Sequence, residues 1–156
     1  MGSLKHRLNA AKNNWLPTAR VEVPEVEDGF YIHVKSMSIA LRDRLVDLQQ
    51  RNAGQDRIIA PLQALQMAGE TTHPETGESV AALIKRYDDE RPTVEQFAAL
   101  HNDIIVETAC DEDGIQAFDD LEELKAADLP AALMVRLASG AMSASVGTNA
   151  GNDPNG

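Results

Sequence analysis

The stretch CDEDGIQAFDD, residues 110–120, concentrates the residue types that could do chemistry. A calcium loop of the EF-hand type needs acids or amides at loop positions 1, 3 and 5, Gly at 6 and a bidentate Glu at 12. With Gly114 at the glycine position, Asp111 and Asp113 fill two ligand positions. Ala109 then stands where the first ligand should be, and Asp120 is one carbon short of the final glutamate. The pattern predicts a plain turn between two elements, with Gly114 supplying a positive φ. Cys110, beside it, is the only cysteine and reads as a small buried group at a helix end.

The other candidates are scattered. His6, His33, His73 and His101 fall on a helix, a strand, a loop and a helix, and no pair has zinc-ligand spacing. No local signature joins Cys110 to a histidine as a nucleophile pair. The acid runs at Asp88–Glu90 and Asp119–Glu123 could hold magnesium or act as acid and base. They lie at helix starts and ends, where acids commonly cap and solvate. There is no G-x-x-x-x-G-K-[ST], G-x-G-x-x-G or G-x-S-x-G. The expectation is therefore a non-enzyme, with no catalytic, cofactor-binding or metal-ligating residues and no cofactor.

The elements that would position these residues are mostly helical. Leu4, Leu8, Ala11 and Trp15 share one helix face, and Pro17 stops that helix. Val21 and Val23, then Phe30, Ile32 and Val34, alternate with polar or amphipathic neighbours on either side of Glu27-Asp28-Gly29. That is a β-hairpin over about 20–35. A hairpin alone is marginal in water, so it must pack on helices or pair with another chain.

Ser38 is expected to cap a helix striped by Met37, Leu41, Leu45 and Leu48, which Asn52-Ala53-Gly54 is expected to end. Pro61 could open another over Leu62, Leu65 and Met67. Residues 69–78 form a polar loop, the best candidate for a mobile insertion. Ser79 caps a helix with Val80, Leu83, Ile84 and Tyr87 on one face. Thr93 and Gln96 make a capping-box pattern before Phe97, Leu100, Ile104, Ile105 and Thr108. Asp119 and Glu122 make another. Asp128 is expected to cap a last helix lined by Leu129, Leu133, Leu137 and Ala141. The fold class is mainly α (α+β): a helical bundle with one N-terminal β-hairpin. Residues 1–146 are expected to form one domain, followed by a disordered tail at 147–156.

Composition agrees with this. In 156 residues, hydrophobic types are 43% and aromatics only 4%, which favours helices over a sheet-rich core. The net charge is −11 and uneven: residues 1–45 carry +2 and residues 46–156 carry −13. An acidic body argues against nucleic acid as a partner, because that needs cationic contacts. It fits a basic protein partner, or simply solubility. No window approaches a membrane span, and no signal peptide is recognisable. The lone cysteine suits a reducing compartment.

Three segments together resemble a known family. They are VEVPE at 21–25 leading into the hairpin, SMSIALRDRL at 36–45, and ETACDEDGIQAF at 107–118 followed by DDLEEL. Their order is similar to that of the tail assembly chaperones of long-tailed bacteriophages. The likeness covers roughly 20–145. It departs at Val26, where family members often carry Trp, at the Ser38-Ile39-Ala40 phrase, and over 55–79. The resemblance implies a non-enzymatic protein of the infected host's cytoplasm that binds the tape measure protein and helps recruit tail tube protein. It implies absence from the mature virion, and a longer frameshifted form whose junction the loose tail would suit. Physically, a Leu- and Met-bearing groove with Met37, Met67, Met134 and Met142 could shield an apolar helix. The hairpin edge leaves self-association open. The rival readings are a small structural tail or head–tail connector protein, and an acidic mimic of nucleic acid.

Overall fold

The structure, a computed structural model, describes residues 3–11 and 16–151. Its elements in chain order are α1 (Leu4–Ala11), β1 (Ala19–Glu22), β2 (Tyr31–Val34), α2 (Ile39–Met67), α3 (Val80–Asp89), α4 (Val94–Thr108), β3 (Ala109–Cys110), α5 (Leu121–Ala127) and α6 (Ala131–Gly151). The mainly α class and the hairpin are as the sequence predicts. The chain divides into two compact units. Residues up to Arg42, with those from Ala98 on, form the first; Asp43–Phe97 form the second.

In the first unit the period-2 alternation places Val21 opposite Ile32 and Glu22 opposite Tyr31. The chain reverses at Glu27–Phe30: the Phe30 N–H donates to the Glu27 carbonyl at 3.2 Å, and Gly29 takes φ +80°. Val23 and Val34 are fully buried, and Val21 and Ile32 pack on the same core. The hairpin gains a third strand. β3, the continuation of α4, pairs antiparallel with β2 through His33/Cys110 and Val34/Ala109. The sheet order is β1-β2-β3.

α6 supplies the floor beneath this sheet: Leu133, Leu137 and Ala141 of the predicted stripe are buried, with Ala138 beside them, while Leu129 lies before the helix and is half-buried. A Cβ on Gly140 would lie 2.6 Å from Val21 Cγ2, so only glycine permits the observed approach of α6 to β1. Farther along, the Met37 N–H donates to Ser145 Oγ at 2.7 Å, tying the segment after β2 to the same helix. Ser38 caps α2 as expected, accepting from the Leu41 N–H at 3.2 Å. In α1, Leu4 and Leu8 are exposed; Trp15, assigned to the same face, lies outside the described residues.

Three local expectations need correction here. The cap of α5 is Asp120, whose side chain accepts from the Glu123 N–H at 2.9 Å; the expected Asp119/Glu122 pair is one residue too early. Asp128 does not cap α6. It closes α5 in the left-handed region at φ 47°, donating its N–H to the Lys125 carbonyl at 3.1 Å. Pro130 follows, where no helix could continue, and its carbonyl accepts from Leu133 and Met134 at 3.0 Å. Lastly, α6 continues to Gly151, past the expected start of the tail at 147; residues 152–156 lie outside the described residues.

The second unit holds the larger departure. α2 does not end at Asn52-Ala53-Gly54 but runs as one helix to Met67, with Pro61 inside it. Gly costs about 1 kcal/mol against Ala in a helix interior and Pro about 3. Burial of Leu45, Leu48, Ile59 and Leu62 along one stripe offsets this, since each buried aliphatic side chain stabilises by about 1.5–3 kcal/mol. Leu62 packs with Val80 and Leu83 of α3, flanked by Leu65, Ile84 and Tyr87.

The 69–78 loop is tied at its base: His73 N–H donates to Glu78 O at 2.7 Å and Val80 N–H to Thr71 O at 3.0 Å. Ser79 caps α3 through the Ala82 N–H. Thr93 and Gln96 form the reciprocal capping box before α4, at 2.7 and 3.1 Å.

The buried hairpin face can be tested directly. Val23→Asp strands a carboxylate in a fully buried position and should lower unfolding stability by more than about 3 kcal/mol. Val26→Asp, on the exposed side of the same hairpin, should change it by less than about 0.5 kcal/mol. Urea denaturation of the two variants checks both values.

Candidate functional site

The DEDG stretch folds as a capped turn. The Asp111 carboxylate accepts the N–H groups of Asp113 and Ile115, both at 2.9 Å. The Asp111 N–H donates to the Ile115 carbonyl at 2.9 Å, and the Gly114 N–H to the Asp111 carbonyl at 3.0 Å. Gly114 has φ +83°, the role its sequence context predicts. Outside the turn, Cys110 bridges Gln116, and the Ala117 N–H donates to the Ala109 carbonyl at 2.9 Å. The turn is thus a small hairpin that delivers Phe118 to the core. Both donors bond the same oxygen, Asp111 Oδ1, which holds the turn closed.

The acid runs also make local bonds at their helix ends. Asp88 accepts from Arg91 at 2.6 Å and Asp89 from Lys85 at 3.0 Å, while Glu90 is the C-cap of α3. Asp120 caps α5, and Glu123 accepts from the Asp119 N–H at 3.3 Å. Among the described residues, no three of His, Cys, Asp or Glu are grouped so as to hold a metal ion.

The fold does bring one histidine to the cysteine. His33 and Cys110 are cross-strand partners, a pairing no local spacing could reveal, because β3 has only two residues. Burial pushes the Cys110 thiol up; Lys35 opposes this, and Asp111 adds to it. A raised, buried thiol is a poor nucleophile at neutral pH. His6, His73 and His101 lie on α1, the 69–78 loop and α4 respectively. Of the four methionines considered for a groove, Met134 and Met142 pack on the main core and Met67 is 90% exposed in the second unit.

The described surface of the first unit instead offers exposed apolar residues set among acids. Val26 and Ile115 are each 62% exposed, and Phe30 stands at the hairpin turn. Glu25, Glu27 and Asp28 surround the first in sequence; Glu112 and Asp113 precede the second. The hairpin end is clamped from α6. Arg136 donates to the Glu22 carbonyl at 3.0 Å and pairs with the Glu25 carboxylate. Arg20 lies 4.1 Å from the centre of the Tyr31 ring on the outer face. Ser38 N–H donates to Glu107 Oε2 at 3.0 Å, joining the chain after the hairpin to the end of α4.

Comparison with protein-family models, curated proteins and solved structures found no match to this chain. Among the described residues, no helix is long and apolar enough to cross a membrane.

The capped turn makes its own prediction. Asp111→Ala removes the acceptor of two backbone N–H groups and should lower stability by about 1 kcal/mol. Asp111→Asn keeps the side-chain oxygen and should recover most of that loss. Thermal unfolding with and without millimolar calcium checks both, and calcium should leave the wild-type melting temperature unmoved.

Proposed function

We propose that this chain is a tail assembly chaperone of a long-tailed bacteriophage. In this reading it binds the tape measure protein and helps recruit tail tube subunits, without enzymatic activity and without remaining in the virion. The observation that carries the reading is spatial. The VEVPE hairpin and the ETACDEDGIQAF segment, about 80 residues apart in sequence, pair as one sheet through β2 and β3. Ser38, from the third resembling segment, bonds to Glu107 of the second. The segments that resemble the family therefore converge on one framework.

The surface chemistry suits such a partner. A tape measure protein is a long helical chain whose apolar face needs cover before assembly. Exposed aliphatic residues beside acids, as at Val26 and Ile115, can accept an amphipathic helix and steer its basic residues. A small structural tail or connector protein would share these features but stay in the particle.

Co-expression with the tape measure protein encoded alongside it tests the reading. The partner should become soluble and co-purify with this chain. Val26→Asp combined with Ile115→Asp should weaken that capture at least about tenfold, roughly the loss of one good apolar contact, with little change in melting temperature. A partner that stays insoluble beside a folded, monodisperse chain would sink the proposal. Abundant peptides from this chain in purified virions would favour the structural-protein reading instead.

A further inference from the structure

We propose that Asn52–Gly54 is a hinge within α2 and that Arg91 is the latch that holds it straight. Unfavourable features gather in this part of the helix. Gly54 adds backbone freedom, and a Cβ built on it meets nothing within 4 Å, so packing does not demand a glycine there. Pro61 has no N–H, which deprives the Arg57 carbonyl of its intrahelical donor. Gln55 Oε1 is buried without a hydrogen-bond partner.

Against these stands one guanidinium. Arg91 Nη2 lies 2.6 Å from Asp56 Oδ1, its Nε donates to Asp88 Oδ1 at 2.6 Å, and its Nη1 donates to Asn52 Oδ1 at 3.1 Å and the Asn52 carbonyl at 3.4 Å. Asn52 and Asp56 are one turn apart on the same face of α2, on either side of Gly54. Arg91 spans that turn and fastens it to Asp88 near the end of α3. All of these residues belong to the second unit. The simpler account is a glycine tolerated in a helix interior, with Arg91 an ordinary surface ion pair. That account gives Arg91 no special influence on the amides around Gly54.

Hydrogen–deuterium exchange of the full chain, read by peptide mass spectrometry, separates the two. Arg91→Ala should speed exchange over 53–60 by about tenfold or more, while 100–110 and 133–144 keep their wild-type rates. Gly54→Ala in the same background should restore protection, because alanine stiffens that turn with no steric conflict. Should Arg91→Ala fail to fold, Arg91→Lys gives the same comparison, since an ammonium cannot span the three residues as the planar fork does. Unchanged exchange over 53–60 would overturn the proposal. So would a rise spread evenly over 43–97 that Gly54→Ala does not reverse.

Discussion

The first unit depends on how closely α6 approaches β1. At Gly140 the helix has no side chain, and Val21 occupies the space a Cβ would need. That contact lets Val21 and Ile32 of the hairpin settle on the core built by Leu133, Leu137 and Ala138. A hairpin of two four-residue strands is not stable alone in water. Seated on α6, and extended by β3, it becomes part of a three-strand sheet. The Arg136 clamp on Glu22 and Glu25 then fixes the hairpin end relative to the same helix. The exposed residues Val26 and Phe30 are presented from a held turn rather than a loose one.

What could be read from the sequence was what local chemistry decides. Ser38, Ser79 and the Thr93/Gln96 pair cap the helices they precede, because a side-chain oxygen satisfies N–H groups within three residues. The hairpin was legible from alternation, and the turn at Gly114 from its glycine and acids. β3 was not. Two residues carry no period, and their strand character comes from pairing with β2, about 75 residues away. The proximity of His33 to Cys110 was hidden for the same reason.

Helix α2 shows the opposite failure. Asn52-Ala53-Gly54 has the composition of a helix end, and by local propensity it should be one. The buried stripe nevertheless continues past it at matching spacing, from Leu45 and Leu48 to Ile59 and Leu62. Asn52 and Gln55 occupy the stripe positions between, and both are half-buried. Counting those two polar residues as part of the stripe would have predicted the continuous helix. Asp128 misled in a similar way: its type suits either end of a helix, and only its left-handed backbone, with Pro130 beyond it, assigns it to the close of α5.

The claim on which the sheet's placement rests is that glycine at 140 is required by contact with Val21. Two effects compete there. Alanine in a helix interior gains about 1 kcal/mol over glycine, whereas forcing a methyl into a packed contact costs about 1–3 kcal/mol. A double-mutant cycle by thermal unfolding decides between them. Gly140→Ala should destabilise the wild-type chain, and the same substitution in a Val21→Ala background should be neutral or stabilising. If Gly140→Ala is stabilising on its own, or has the same effect in both backgrounds, α6 and β1 do not meet as described.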